Sequence, residues 1–222
     1  MLTLRADAIL FDLDGVLVDS WSQLVRLLQD WAVLHGLDPA RVVAAARGRT
    51  DHELVAEVAP FLDVDTEVAR LTAWEVADFT GCRAMEGARE TLDAIPPGWW
   101  GVVTSGMREA AGGRLRAAGL PVPDVLVCAE DVALGKPAPQ PYLTGAERLG
   151  IAPRSCVVVE DAPVGVASGR AAGMTVIGVT GSDPHASLAA DVSVTSLARL
   201  TVEPLVGTPR LAIRVATGDA AR

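Results

Sequence analysis

The chain has 222 residues, half of them hydrophobic, and a formal net charge of −9 at pH 7. This length can bury one sizeable core with a smaller appended domain, whereas the negative charge argues against binding to nucleic acid or to an anionic membrane. No apolar run reaches the ~20 residues of a membrane-spanning helix, and residues 1–6 lead directly into a strand-like segment, so we expect a cytoplasmic protein without a signal peptide. Cys82, Cys128 and Cys156 lack metal-ligand spacing and are typical of buried thiols in a reducing compartment.

Short apolar runs recur along the chain, and the first of them ends abruptly in acid. Residues 8–11 form a continuous apolar run, as expected for a strand buried on both faces of a parallel sheet. Similar runs follow at residues 100–103, 125–128, 156–159 and 175–179. Helical patterns that stop at a glycine separate the later runs, at residues 108–118, 141–149 and 163–172. The alternation predicts an α/β fold with a Rossmann-like, doubly wound parallel sheet.

The long stretch between the first two strands is typical of helices. Its helical segments are predicted at residues 20–35, from Asp38 and Pro39 onward, at 51–58 and at 65–80. We therefore predict a helical cap at residues 18–86, inserted into a core formed by residues 1–17 and 87–222. Residues 200–202 and 211–215, joined by a turn with proline and glycine, predict a C-terminal β-hairpin at the sheet edge.

Two pairs of acidic residues follow apolar strands. Asp12 and Asp14 come directly after the first strand, and Glu160 and Asp161 follow the strand at residues 156–159. If these strands are neighbours where the strand order reverses, the acids flank the position at which open α/β sheets bind ligands. Carboxylate and carbonyl oxygens suit Mg²⁺, so the pattern favours a magnesium site over a polar turn or helix capping by Asp161 alone.

Two further segments supply groups that bind anions. Thr104, Ser105 and Gly106 end the second strand, where a hydroxyl and successive backbone N–H groups form an anion site. Lys136 lies in a proline-containing loop that could hold its ammonium toward a phosphate and Asp12. Helix capping and a solvated lysine are the plain alternatives for each segment taken singly.

The four segments together resemble the haloacid dehalogenase (HAD)-like hydrolase superfamily. Residues 11–20 match its first motif, and residues 103–106, 135–137 and 159–163 are similar to the second, third and fourth. The resemblance spans essentially the whole chain. It is closest to the helical-cap branch of phosphatases that act on glycerol phosphate, deoxyglucose phosphate, hexitol phosphate and other sugar or polyol phosphates.

The resemblance implies a Mg²⁺-dependent phosphatase of small sugar or polyol phosphate monoesters that forms an aspartyl-phosphate intermediate. Asp12 would attack phosphorus, and Asp14 would protonate the leaving alcohol and then activate water. Thr104 and Lys136 would bind the transferring phosphoryl group. The expected partner is a small phosphorylated sugar or polyol, and we expect a monomer.

The resemblance also implies a metal site and a substrate site. Asp12, the backbone carbonyl of Asp14, and Asp161 would hold Mg²⁺, with Glu160 beside them as a direct or water-mediated ligand. Ser105 and Gly106 would contact the substrate phosphate. The segment at residues 48–50 is similar to a specificity loop of the cap, so Arg49 is predicted to bind the organic part of the substrate.

Three other functions are compatible with the same scaffold. A β-phosphoglucomutase-like sugar phosphomutase would use the same nucleophile, but mutases of this resemblance carry a histidine on the first helix. Residues 19–25 contain none, and Leu24 stands near its place. A dehalogenase would need neither a metal nor an acid at Asp14, and a non-catalytic sugar-phosphate-binding protein would be expected to have lost Asp12, Asp14 or Lys136. The intact set favours the phosphatase.

Overall fold

The computed structural model describes residues 1–46, 49–181 and 188–216. The strands are, in chain order, β1 (Leu2–Ala6), β2 (Ala8–Phe11), β3 (Val18–Asp19), β4 (Arg83–Ala84), β5 (Trp100–Val103), β6 (Leu126–Val127), β7 (Cys156–Glu160), β8 (Thr175–Val179), β9 (Val192–Val194), β10 (Leu200–Pro204) and β11 (Leu211–Val215). The helices are α1 (Trp21–Leu34), α2 (Pro39–Ala46), α3 (Asp51–Val58), α4 (Val64–Ala77), α5 (Ala88–Asp93), α6 (Arg108–Ala117), α7 (Gln140–Leu149) and α8 (Pro163–Ala171). Within the described ranges, no helix has the length and apolar character needed to cross a membrane.

The main sheet confirms the predicted α/β class. The described residues form six parallel strands in the order β6-β5-β2-β7-β8-β9. Within this sheet the chain begins at the central strand β2, adds β5 and β6 on one side and then crosses to add β7, β8 and β9 on the other. The carboxyl ends of β2 and β7 therefore lie side by side where the strand order reverses. This is the position at which open α/β sheets bind ligands.

Both faces of the sheet are covered, which explains the continuous apolar runs. In β2, Ile9 and Phe11 join the apolar cluster under α5 and α6, whereas Ala8 and Leu10 join the cluster under α7 and α8. Every residue of β2, β5, β6 and β7 is therefore buried whichever face it occupies, and alternation of polar and apolar residues is lost in these strands. Because its strands are parallel, the sheet presents their carboxyl ends, and the loops that follow them, on one side.

The C-terminal hairpin forms, but it lies apart from the edge of the main sheet. Strands β10 and β11 pair with each other, and β11 also pairs with β1, which gives a separate antiparallel sheet in the order β1-β11-β10. The predicted place at the sheet edge is therefore wrong. Alternate apolar residues explain the result, because Val202, Leu211, Ile213 and Val215 turn toward the same cluster as Ile9.

Helices α1–α4 pack around an apolar cluster of their own. It includes Leu28, Trp31, Val55 and Leu71, and all its buried members come from the part of the sequence that runs from α1 to α4. The chain enters and leaves this bundle through the antiparallel ribbon β3-β4. These features support the predicted cap at residues 18–86, which remains our interpretation of the domain division.

Glu67 in α4 is the polar centre of this helical bundle. The carboxylate is buried, and its Oε2 accepts hydrogen bonds from Trp31 Nε1 at 2.9 Å, His35 Nε2 at 2.9 Å and Arg70 Nε at 3.0 Å. Burial alone would raise the pKa of Glu67, but these hydrogen bonds outweigh it and lower the pKa.

Replacing Glu67 by alanine should destabilise the bundle by about 2–3 kcal/mol, because the buried indole N–H of Trp31 loses its acceptor. The loss should show in urea unfolding at pH 7, and the exposed Glu57→Ala should stay within about 0.5 kcal/mol of wild type. The stabilisation should be complete above pH 4.5, the ordinary pKa of glutamate, and should vanish as the pH falls through the lowered pKa. Equal stability of E67A and E57A at neutral pH would contradict this role.

Candidate active site

Asp12 lies at the carboxyl end of β2 with its side chain buried. Its backbone N–H donates to Val159 O at 2.9 Å, so Asp12 still belongs to the ladder between β2 and β7. Both strands end at this level, which brings Asp12 beside Glu160 and Asp161. Only 8% of Asp12 is exposed, and burial raises the pKa of its carboxyl well above the usual range although Lys136 opposes the rise.

The ammonium of Lys136 lies among three oxygen atoms. Its Nζ donates to Asp12 Oδ1 at 2.5 Å, to Glu160 Oε1 at 2.6 Å and to Val103 O at 3.0 Å. Burial alone would lower the pKa of Lys136, but Asp12 and Glu160 outweigh it and raise the pKa. Lys136 therefore stays protonated next to Asp12, where its positive charge suits the binding of a phosphate dianion.

Both carboxylate oxygens of Glu160 are held by the protein. Besides Lys136, the Tyr142 hydroxyl donates to Oε1 at 2.7 Å, and the backbone N–H groups of Asp161 and Ala162 donate to Oε2 at 3.1 and 3.2 Å. A Cβ at Gly165 in α8 would lie 1.8 Å from Oε1, so glycine leaves the space that this side chain fills. Glu160 is thus fixed by several hydrogen bonds and in turn holds the ammonium of Lys136.

Gly15 allows the first motif to approach Asp161. Its φ is +86°, in the left-handed region that favours glycine, and a Cβ there would lie 2.1 Å from Asp161 Oδ2. The turn that follows is tight, with Gly15 N–H donating to Val18 O at 2.9 Å. Glycine is therefore required for two acidic segments from distant parts of the chain to meet.

The three converging carboxylates fit a hard divalent cation. One oxygen each from Asp12, Glu160 and Asp161 lies within 4.8 Å of the other two. Lys136 offsets only part of their negative charge, and burial, followed by the nearby Glu160, raises the pKa of Asp161 to about 7. Oxygen donors with excess negative charge are the ligands that Mg²⁺ prefers, so the predicted ligand set suits that ion.

Asp14 lies at the mouth of this cluster, where 34% of its side chain is exposed. Ser20 Oγ donates to its Oδ1 at 2.5 Å, and Arg114 Nη1 donates to its Oδ2 at 2.8 Å. The carboxylate is thus accessible from outside the core, and each of its two oxygens accepts a hydrogen bond from a different side chain. Such a group can exchange protons with a bound molecule while keeping a defined orientation.

The loop after β5 continues from the site of Lys136. Thr104 is buried directly after Val103, whose carbonyl oxygen accepts from Lys136, and Thr104 Oγ1 accepts from Gly106 N–H at 3.1 Å. Ser105 is exposed in the same loop. The structure therefore brings Thr104 near the core of the site, and phosphate binding by Thr104, Ser105 and Gly106 stays a prediction.

The guanidinium of Arg49 contacts the helical bundle, and among the described residues no contact joins it to the carboxylate cluster. Its Nη1 donates to Ala45 O at 2.9 Å and pairs with Glu57 Oε2 at 2.8 Å, so it binds groups of the helical bundle itself. Gly48 of the predicted specificity loop lies outside the described residues. The assignment of Arg49 to substrate binding stays a prediction.

Two residues of the site, Tyr142 and Arg114, were not predicted from the sequence. Tyr142 lies in the helix after the lysine loop, and nothing in its pattern separates it from an ordinary core aromatic. Arg114 did carry a signal, because it shares the buried face of α6 with Ala110, Ala111 and Leu115. A charged residue on such a face needs a buried partner, and here the partners are acids.

Comparison with known proteins agrees with this geometry. The family model described as haloacid dehalogenase-like hydrolase matches residues 6–173. Hexitol phosphatase A of Escherichia coli (strain K12) is 41% identical over 211 residues, which cover 90% of this chain and 95% of that protein. Glycerol-1-phosphate phosphohydrolase 2 of Saccharomyces cerevisiae is 33% identical over 191 residues, which cover 80% of this chain and 76% of the yeast protein.

A solved structure shows the same architecture. The HAD family hydrolase from Deinococcus radiodurans R1, crystallised with bound phosphate and sodium, has a TM-score of 0.63 and 32% identity. The match covers 87% of this chain and 93% of that one. The resemblance predicted from the four motifs is confirmed, and the chain belongs to the haloacid dehalogenase-like hydrolase family.

Proposed function

We propose that the chain is a Mg²⁺-dependent phosphatase that hydrolyses small sugar or polyol phosphate monoesters through a phosphorylated Asp12. The observation that carries the proposal is the pairing of the buried Asp12 carboxylate with Lys136 at 2.5 Å, beside Glu160 and Asp161. A nucleophile, a cation for the phosphate and a set of metal ligands meet within one strand-end cluster. Asp14 stands at its entrance.

The class of reaction and the class of substrate have different support. The chain is a phosphoric monoester hydrolase, since its family is a hydrolase family and the relatives compared above are phosphatases. Those relatives are named for hexitol and glycerol phosphates, which supports a polyol or sugar phosphate as the substrate here. The bound phosphate in the Deinococcus structure is consistent with this proposal.

The chain's own residues divide the proposed chemistry into two halves. In the first, an Asp12 carboxylate oxygen attacks phosphorus while the bond from phosphorus to the alcohol oxygen breaks, and Asp14 gives that oxygen its proton. In the second, Asp14 takes a proton from water as the water oxygen attacks phosphorus and the bond from phosphorus to the Asp12 oxygen breaks, which releases inorganic phosphate and restores the Asp12 carboxylate. Lys136 and Thr104 hold the phosphoryl oxygens throughout.

The residues that would hold Mg²⁺ are Asp12, Asp161 and the backbone carbonyl of Asp14, with Glu160 beside them. When bound, Mg²⁺ would supply positive charge that offsets the carboxylates and the phosphoryl oxygens. Without it, the approach of a phosphate dianion to several buried acids would be strongly opposed.

Phosphate release from a panel of polyol and sugar phosphates tests this function. We expect release that requires Mg²⁺, is abolished by a chelator and is restored by added Mg²⁺, with hexitol or glycerol phosphates among the better substrates.

The companion test uses a sugar 1-phosphate with Mg²⁺ and a trace of the sugar bisphosphate. Leu24 packs against the bundle cluster where a mutase would need a histidine, so free phosphate should equal the substrate lost. Accumulation of the sugar 6-phosphate with little free phosphate would establish a mutase instead.

A further inference from the structure

Arg114 joins the core to the helical bundle at the entrance of the site. It lies on α6 with only 5% of its side chain exposed. Its Nη1 donates to Asp14 Oδ2 at 2.8 Å, and its Nη2 donates to Glu75 Oε1 of α4 at 2.8 Å. Asp14 belongs to the first motif, whereas Glu75 belongs to the bundle, so one guanidinium spans the two parts of the molecule.

The two ion pairs determine how the guanidinium is oriented. Among the described residues, Arg114 Nε has no hydrogen-bond partner, so Asp14 and Glu75 set its orientation. Burial alone would lower the pKa of Arg114, but the acidic groups around it, Asp14 and Glu75 foremost, outweigh it and raise the pKa. A planar fork with two fixed partners is rigid in a way that a lysine at this position would not be.

Gln23, another residue of the bundle, holds the backbone of Glu75 in place. Gln23 Nε2 of α1 donates to the backbone carbonyl of Glu75 at 3.1 Å, and the Glu75 side chain is itself buried. On the core side, Arg114 Nη1 would lie 3.8 Å from a Cβ placed on Gly106, so the guanidinium also borders the loop of Thr104. The position of the bundle is thus transmitted through Glu75 and Arg114 to Asp14.

We propose that Arg114 is a positioning residue, which holds the Asp14 carboxylate and is in turn held by Glu75, so that Asp14 is aligned for proton transfer when the helical bundle lies on the core. This rests on the proposed function, since it assigns Asp14 the proton transfer to and from the reacting oxygen atoms. It adds a reason for the bundle to act on the chemistry and not only on substrate choice. An open bundle would separate Glu75 from Arg114 and leave the guanidinium held by Asp14 alone.

The leaving group separates this role from a structural one. An alcohol such as glycerol leaves poorly and needs the proton of Asp14, whereas 4-nitrophenolate leaves without help. In Arg114→Met, kcat for glycerol phosphate should fall about 100-fold with KM changed less than about threefold, because general acid–base catalysis contributes about 10²–10⁴-fold. With 4-nitrophenyl phosphate as the substrate, the rate of the first-turnover burst of 4-nitrophenolate should change less than about threefold in the same variant.

Matched variants keep the test decisive if Arg114→Met folds poorly. Arg114→Lys retains the charge without the fork and should recover part of the loss, and Glu75→Gln should lower kcat for glycerol phosphate by about tenfold through Arg114. Arg116→Met, an exposed arginine on the same helix, should match wild type. In a D14N background, adding R114M should lower the first turnover no further, because Arg114 acts through Asp14.

Several outcomes would overturn the proposal. Equal losses on glycerol phosphate and on the 4-nitrophenolate burst would mean that Arg114 contacts the phosphoryl group. Multiplied losses in the D14N background, or wild-type kcat in both R114M and E75Q, would mean that Asp14 does not depend on this bridge. Wild-type activity on both esters in the same assays separates these failures from a failure of the proposed function.

Discussion

Asp12→Asn should abolish turnover while the protein keeps its fold. The amide has the same shape as the carboxylate but is not a competent nucleophile, so phosphate release should fall by about 10⁴-fold or more. Lys136 keeps Glu160 Oε1 and Val103 O as partners in this variant, and the amide oxygen of the asparagine can still accept from it. The buried ammonium is therefore still paired, and the core should remain intact.

Acid-quenched samples provide the direct measurement. Wild type mixed with a labelled polyol phosphate should show a phosphorylated protein that is stable in acid and labile in base, as expected of an acyl phosphate. The variant should show none. Asp19→Asn is a matched control, since Asp19 lies in the same motif but pairs with Arg83 in the β3-β4 ribbon, where its Oδ2 accepts at 2.8 Å. A folded D12N protein that releases phosphate at a comparable rate would rule out covalent catalysis by Asp12.

Lys136→Met should remove both activity and much of the stability of the core. The substitution leaves Asp12 and Glu160 without the cation that now lies 2.5 and 2.6 Å from them. Removing one partner of a buried ion pair typically costs about 3–5 kcal/mol because the remaining charge is buried and unpaired. Urea unfolding without divalent metal should report a loss of this order.

Two additions should reverse part of the loss in a defined direction. Glu160→Gln in the K136M protein removes one unpaired charge and should recover stability, and Mg²⁺ should stabilise K136M by binding the folded carboxylates. A K136M protein as stable as wild type, with no response to Mg²⁺ or to E160Q, would contradict the charge balance described here.

The pH dependence of the wild-type protein without metal follows from Asp161. The pKa of Asp161 is raised in the folded state from 3.8 to about 7, so the folded state binds the extra proton. The free energy of unfolding therefore falls as the pH rises between these two values.

The fold and the reacting residues were readable because both depend on local patterns. Apolar runs followed by Asp12 and by Glu160 mark strands of a sheet covered on both faces, and we supposed that these two strands are neighbours where the strand order reverses. The carboxyl ends of neighbouring parallel strands lie side by side, so acids at those ends converge, and the structure confirms that β2 and β7 are neighbours. Lys136 was predictable for a different reason, namely the similarity of residues 135–137 to the third motif of the family.

The sequence by itself therefore determined the α/β class, the helical insertion and the meeting of Asp12 with Glu160, Asp161 and Lys136. Only the tertiary structure decided which residues outside the motifs complete the site. The contacts of Arg114 with Asp14 and Glu75 join positions 100 and 39 residues apart, and the place of the hairpin depends on pairing between β1 and β11. The helical pattern of α6 marks Arg114 as buried but does not name its partners, and no local pattern places the hairpin, because both depend on how separately folded elements pack against one another.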